Sequence, residues 1–187
     1  MFNRRLFVCI SAAKDYTCSM DAVYTTTDTG LEKGGMEIAV WHEKYDTGIE
    51  LIDKQHKELV NIINKLHRAC CTGASVDDTF KGTMHQMVEY VRFHFGTEQR
   101  LLERLKYPGC KAHIKEHSAL VQNILDAAKS FSEGKRFVPH SFARTLRDWL
   151  LGHIAVSDKH YAAFVMEQKK KGLNLDSIFD TDFDTKR

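Results

Sequence analysis

Seven ionisable side chains have the types and spacing to build a metal centre. They are five histidines and two carboxylates, spread over four segments: His56, His94, Glu98, His113, His117, His153 and Asp158. Two of the pairs, His94 with Glu98 and His113 with His117, are four residues apart, which places each pair on one side of a helix. Buried groups that can carry charge are normally paired or bound to metal. Imidazole with carboxylate and no thiolate favours iron, manganese or zinc, and seven ligands are too many for one ion.

Six of the seven residues interrupt apolar seams that step by three or four residues. The seams are Ile49, Ile52, His56, Leu59, Ile63, Leu66; Phe80, Met84, Met87, Val91, His94, Glu98, Leu101, Leu105; Cys110, His113, His117, Leu120, Ile124, Ala127, Phe131; and Phe142, Leu146, Trp149, His153, Val156, His160. This alternation is typical of a left-handed bundle in which the stepping residues face the interior. Asp158 alone departs from it, because five residues carry it roughly 140° around an ideal helix from His153. The pattern predicts an all-α fold with a metal centre in its core.

Start and stop signals divide the central region into four helices. Thr47 and Glu50 have the spacing of a capping box at the start of the first helix. Pro108 and Pro139 suit the first turns of the third and fourth helices. The predicted helices are residues 49–71, 78–107, 108–134 and 139–171.

The rest of the chain is predicted to flank this domain. Residues 1–35 have no helical period and are interpreted as an N-terminal extension, either disordered or a start-site artefact. Residues 32–35 resemble a translated ribosome-binding site, so Met36 is the predicted start. Residues 36–171 form the helical domain, and residues 172–187 are predicted to be an acidic, loosely held C-terminal tail.

Composition narrows the possible partners and the location. The net charge is only +2, so the chain lacks the strong positive charge typical of nucleic-acid-binding proteins. No apolar run approaches about 18 residues, so no membrane span is predicted. The five cysteines are odd in number and form no CxxC pair, which favours reduced thiols in a cytoplasmic protein.

Other polar residues near the seams are interpreted as having no part in metal binding. His85 lies nine residues before His94, about 180° away on a helix, and is predicted to face solvent. His160 is predicted to be packed or hydrogen-bonded, and Asp53 to make local hydrogen bonds. The remaining histidines lie near helix ends or outside the helices and need no role: His42, His67 and His140.

Five motifs between about residues 38 and 170 together match one family pattern. They are Trp41 ahead of Thr47-Gly48-Ile49, IDKQHK at 52–57, HFGTE at 94–98, HIKEH at 113–117, and WLLGH at 149–153 followed by Asp158. In these motifs the chain resembles the hemerythrin family, and bacterial hemerythrins in particular. The resemblance implies an up-down-up-down four-helix bundle, a topology for which the family member myohemerythrin is itself a standard example. It also makes the five-residue step from His153 to Asp158 the family's normal spacing.

The same resemblance implies a cofactor of two non-heme iron ions with an oxo or hydroxo bridge. One iron would take the histidines of the third and fourth helices, His113, His117 and His153. The other would take His56 and His94 and remain one ligand short, which leaves an open position for molecular oxygen. By the same resemblance, Glu98 and Asp158 would bridge both ions, and Trp149 and Leu150 would line the oxygen pocket.

The function implied by the resemblance is reversible O₂ binding and not catalysis. Its purpose would be oxygen storage, transport or delivery to an oxygen-using enzyme. The alternatives are an oxygen or redox sensor, or an iron-binding protein, that uses the same site. An oxidase or peroxidase is less favoured, because carboxylate-rich di-iron enzymes use more glutamates, whereas five histidines accompany two carboxylates here.

Overall fold

The described part of the chain is an all-α bundle. A computed structural model describes residues 37–71, 76–133 and 138–179, which contain helices and no strand. The long helices are α1 (Glu50–Cys71), α2 (Val76–Arg104), α3 (Cys110–Ser132), α4 (Pro139–His153) and α5 (Lys159–Lys170). One π-helical turn, Ile154–Asp158, joins α4 to α5, so these two form the fourth rod of the bundle. The predicted fold, a four-helix bundle in up-down-up-down order, is confirmed.

Two apolar clusters form the core, and the ionisable residues lie between them. The larger cluster includes Leu59, Ile63, Met87 and Leu120. The smaller cluster, at the other end, consists of Ile49, Ile52, Leu101, Leu102, Tyr161, Ala162, Val165 and Ile178. The polar layer is therefore enclosed by apolar packing above and below, which excludes water from it.

One helix cap and one helix end differ from the prediction for local reasons. The carboxylate beside Thr47 is Asp53 and not Glu50: the Thr47 N–H and hydroxyl each donate to Asp53 Oδ1 at 2.7 Å. This confirms the local role predicted for Asp53. At the other end, α2 stops at Arg104 because Lys106 adopts a left-handed φ of 51°. The N–H of Tyr107 then donates to the Leu102 carbonyl, as in a Schellman motif.

The predicted seam of the fourth rod fails beyond His153. Val156 is 57% exposed, and His160 also faces solvent rather than packing in the core. The reason is the π turn, which closes its hydrogen bonds over five residues instead of four. It moves the buried face forward by one position, so that Asp158, Tyr161 and Val165 face inward instead.

The C-terminal segment is partly ordered against the bundle. A short helix, α6 (Asp176–Phe179), packs on the smaller cluster, and its Ile178 is only 8% exposed. The Arg104 guanidinium donates to the Ile178 carbonyl. The prediction of a loosely held tail is therefore wrong for this helix, whereas the predictions for residues 1–35 and 180–187 concern parts outside the described residues. None of the described helices is both long and apolar enough to cross a membrane.

Candidate metal centre

The structure brings all seven predicted residues together in the polar layer of the bundle. α1 supplies one, and α2, α3 and the fourth rod supply two each: His56; His94 and Glu98; His113 and His117; His153 and Asp158. None of the seven is more than 7% exposed. Burial of so many ionisable groups at one place costs free energy unless they are paired or bound to a cation.

The ligand atoms form two overlapping groups that share one carboxylate. Within each group the atoms lie within 4.8 Å of one another: Glu98, His113, His117, His153 and Asp158 in one, and His56, His94 and Glu98 in the other. Asp158 also reaches both, because its Oδ1 is 3.1 Å from His153 Nε2 and its Oδ2 is 3.2 Å from His56 Nε2. The grouping matches the two sets of ligands that the family resemblance implies.

The π turn explains how Asp158 reaches the centre. In an α-helix, residues five apart point in different directions, but the hydrogen bonds of a π turn connect residues five apart. Here the Lys159 N–H donates to the Ile154 carbonyl, five residues earlier. As a result, His153 and Asp158 project to the same side of the rod.

Several buried polar atoms at the centre have no hydrogen bond within the described residues. They are Nδ1 and Nε2 of His56, Nε2 of His94 and both carboxylate oxygens of Asp158. The contact of 3.2 Å between His56 and Asp158 has the distance of an ion pair but lacks hydrogen-bond geometry. Unsatisfied buried groups are rare in folded proteins, and a bound cation would explain why several occur together here.

The spacing of the imidazole nitrogens also fits a metal ion. Nε2 of His117 and Nε2 of His153 are 3.0 Å apart. Metal–nitrogen bonds of about 2.1 Å place neighbouring nitrogens on one ion at about this separation. The seven residues therefore fit divalent metal ions in both donor chemistry and spacing.

The electrostatic environment favours the metal-binding protonation state in His94, His117 and Glu98. Burial lowers the pKa of His94 to about 3, and it also lowers the pKa of His117. Burial raises the pKa of Glu98, but the surrounding histidines outweigh it and hold that pKa well below its usual range. Neutral imidazoles and charged carboxylates are the forms that bind metal, and together they leave a negative charge for a cation to balance.

Three residues that the sequence did not single out contact the ligands from behind. Gln55 Oε1 lies 3.1 Å from His94 Nδ1, and Glu116 Oε2 lies 2.9 Å from His153 Nδ1. The Tyr161 hydroxyl donates to Glu98 Oε1. Partners of this kind orient ligands and tune a metal. Gln55 and Glu116 stand inside the motifs, but only the packing of neighbouring helices shows which ligand each one contacts.

Aromatic and aliphatic side chains close the centre on the side of the larger apolar cluster. The Phe95 ring stacks on His117 with centroids 3.6 Å apart, and the Trp149 ring stacks on His153 at 4.4 Å. Trp149 and Leu150 also border an apolar cavity of about 20 Å³. The other lining residues are Leu59, Ile63, Met87, Val91, Phe95, Leu120, Ile124 and Leu146. About 15 Å³ is enough for one water-sized molecule, so the cavity could hold a small apolar gas.

The remaining histidines lie apart from the two groups. His85 faces solvent, as predicted. His67 is buried against His140, with ring centroids 5.2 Å apart, near the end of α1. His42 contacts the Tyr45 ring at 6.3 Å, before α1 begins. None of these belongs to either group of potential ligands within the described residues.

A protein-family model matches most of this structure. The pattern of the hemerythrin HHE cation binding domain matches residues 47–165, which includes all seven residues of the centre. The chain belongs to the hemerythrin family. A family that binds cations accounts for the buried cluster and its unsatisfied atoms.

Individual hemerythrin relatives agree with this assignment. The bacteriohemerythrin of Stenotrophomonas maltophilia (strain R551-3) is 30% identical over 141 residues, which cover 74% of this chain and 86% of the relative. That of Methylococcus capsulatus (Bath) is 32% identical over 127 residues, which cover 67% and 95%. A crystal structure of wild-type hemerythrin superposes with a TM-score of 0.63 at 31% identity, covering 67% of this chain and 96% of that one.

Proposed function

We propose that this protein binds molecular oxygen reversibly at a di-iron centre, for oxygen storage, transport or delivery to an oxygen-using enzyme. The cofactor would be two non-heme iron ions with an oxo or hydroxo bridge. The observation that carries the proposal is the shared, buried set of five histidines and two carboxylates, several of whose polar atoms are unsatisfied. Two of the histidines, His117 and His153, stack on Phe95 and Trp149, which line an apolar cavity. Membership of the hemerythrin family supports iron as the metal.

The seven side chains would divide between the two ions as the two groups suggest. His113, His117 and His153 would hold one ion, and His56 and His94 the other. Glu98 and Asp158 would bridge them, because each carboxylate lies near histidines of both groups. The second position has one histidine fewer, so it would leave room for oxygen. The bound ions would supply the reversible two-electron chemistry of oxygen binding.

The protein's own contribution is a dry, enclosed pocket. Phe95, Trp149 and Leu150 cover the ligands on the side of the cavity. Such a wall excludes water and anions, and it admits a small apolar molecule. On the opposite side of the layer, the Tyr161 hydroxyl donates a hydrogen bond to Glu98.

The character of the cavity favours binding over catalysis. All ten residues that line it are apolar or aromatic, so the cavity wall offers no acid or base to donate a proton to bound oxygen. Carboxylate-rich di-iron enzymes surround their metals with more glutamates. The excess of histidine here suits a site that binds and releases its ligand unchanged.

The test is an optical spectrum of the aerobically purified protein, followed by oxygen removal with a mild reductant and re-exposure to air. We expect two irons per chain and charge-transfer bands that fade and return. The matched variants are His94→Ala and His85→Ala, which both remove an α2 histidine that precedes a glutamate by four residues. Only His94→Ala should lose iron and the bands.

The other outcomes point to different functions. Two irons that oxidise once and do not recover would favour a redox sensor that uses the same residues. Iron without any oxygen-dependent change would favour an iron-binding protein. Equal iron loss in both variants, or no iron in the wild-type protein, would contradict the proposed site.

A further inference from the structure

Glu116 makes an unusual pair of contacts for a residue on the outer side of α3. Its Oε2 lies 2.9 Å from His153 Nδ1, and the Ser157 hydroxyl donates to the same oxygen at 2.6 Å. The side chain of Glu116 is 46% exposed, whereas that of His153 is 3% exposed. A surface carboxylate on α3 is therefore tied to His153, just before the π turn, and to Ser157, inside the turn and next to Asp158.

The first contact fixes the direction in which the His153 ring presents its lone pair. An ionised carboxylate only accepts hydrogen bonds, and a carboxylate lies near each ring nitrogen of His153. Asp158 Oδ1 accepts no hydrogen bond from Nε2, so the neutral ring carries its proton on Nδ1, toward Glu116. The lone pair then lies on Nε2, which is 3.1 Å from Asp158 Oδ1 and 3.0 Å from His117 Nε2. This is the ring nitrogen that faces the centre.

The second contact fixes the backbone that carries the ligand. Ser157 lies inside the π turn and immediately before Asp158. Its hydrogen bond to Glu116 connects the turn to α3 across the surface of the bundle. The turn is thus tied at the point where a shift would move Asp158 away from His56.

The two groups of potential ligands differ in the residue that lies behind each histidine. His94 has the neutral amide of Gln55 behind it, and His56 Nδ1 has no hydrogen-bond partner within the described residues. Among these three histidines, only His153 has a carboxylate beside Nδ1, the ring nitrogen that faces away from the centre. Carboxylate partners make an imidazole ligand more basic and strengthen metal binding.

We propose that Glu116 is a positioning residue that fixes His153 with Nε2 toward the centre and makes the position formed by His113, His117 and His153 the tighter of the two. The second half of this proposal rests on the proposed two-metal function. The first half concerns the histidine itself and holds for the metal-free protein as well.

The test uses the full-length, metal-stripped protein and Zn²⁺ as a redox-silent probe, titrated against a competing chelator. The variants are Glu116→Ala and Glu116→Gln, with Glu167→Ala as the control. Glu167 is an exposed α5 glutamate that pairs with Lys171 at 2.6 Å, far from His153 in the chain. Glu116→Gln has nearly the size of the native residue and keeps the test open if Glu116→Ala does not fold.

We expect Glu116→Ala to weaken one of the two zinc positions by about 10–100-fold and to leave the other unchanged. Glu116→Gln should fall between this variant and the wild type, because an amide oxygen accepts the hydrogen bond but carries no charge. Glu167→Ala should match the wild type. Unchanged affinities in Glu116→Ala, or equal weakening of both positions with a lower melting temperature of the metal-free protein, would overturn the proposal.

A spectroscopic measurement separates this proposal from the proposed function. Nitrogen-15 spectra of the metal-free protein in alkaline buffer, where the ring is neutral, should show His153 protonated on Nδ1. Glu116→Ala should lose that preference, and Glu167→Ala should keep it. If the wild-type protein binds no zinc, the proposed function fails, and these spectra still decide the role of Glu116: the same tautomer in wild type and Glu116→Ala refutes it.

Discussion

Each buried histidine at the centre presents one ring nitrogen to the interior, so the partner of its other nitrogen determines its orientation. For His94 that partner is Gln55, and for His153 it is Glu116. The members of the buried cluster could be predicted, because an ionisable residue in an apolar seam is conspicuous. Their partners could not, because a polar residue beside a seam looks the same in sequence whether it faces a ligand or solvent.

Glu98 also has such a partner, Tyr161, and the contribution of this contact to stability can be measured directly. The buried Tyr161 hydroxyl donates to the carboxylate of Glu98, and hydrogen bonds to charged groups contribute roughly 1.5–3 kcal/mol. We expect Tyr161→Phe to lower the free energy of unfolding by about that amount, measured by denaturant titration. Tyr107→Phe is the control, since no hydrogen bond of its hydroxyl occurs within the described residues. Equal losses in both variants would show that the Glu98 contact contributes nothing.

At the scale of the elements, the π turn determines which residues of the fourth rod face the core. Sequence periodicity assumes 3.6 residues per turn; on that assumption Val156 and His160 belong to the interior seam, and Asp158 does not fit it. The family resemblance supplied the correct spacing for Asp158, but it gave no physical cause. One wider turn accounts for the errors at Val156 and His160, and it also explains why Tyr161 was not identified.

A π turn is equivalent to one residue inserted into an α-helix, and this suggests a deletion experiment. Without the exposed Ala155, Asp158 would follow His153 by four residues and would stay on the same side of a regular helix. We expect the deletion variant to fold cooperatively, with a melting temperature close to that of the wild type. Deletion of the exposed Ala119 is the control, because it turns the α3 seam at Leu120 by about 100° and should destabilise the protein strongly. Similar melting curves for the two deletions would contradict this interpretation.

At the scale of the whole molecule, the bundle encloses a polar layer between two apolar clusters. The four helices and the ends of α1 could be predicted from seams and turn residues alone. The packing of α6 could not, because its few apolar residues acquire partners only when residues of α1, α2 and α5 come together in the smaller cluster. The consequence of this architecture is that the stability of the fold depends on what neutralises the layer.

The metal-free protein should therefore be less stable than the metal-bound protein, and its stability should depend on pH. Binding to the native state alone adds stability, so chelation should lower the melting temperature. Burial lowers the pKa of His94 from 6.5 to about 3 and also lowers that of His117. Between pH 6.5 and about pH 3, His94 binds a proton in the unfolded chain but not in the folded one. Stability must therefore fall as the pH decreases from 6.5.

The opposite slope is expected on the alkaline side. Burial lowers the pKa of His153, but the nearby carboxylates, Asp158 first among them, outweigh this and raise the pKa above 6.5. The folded chain then holds the extra proton, and that contribution is lost as the pH rises through the raised pKa. The two slopes place a maximum of stability near pH 6.5 for the metal-free protein, which urea unfolding across the pH range can locate. His94→Gln should flatten the fall in the free energy of unfolding below pH 6.5, whereas the control His85→Ala should not. An unchanged fall in His94→Gln would show that this buried imidazole does not control the stability of the metal-free centre.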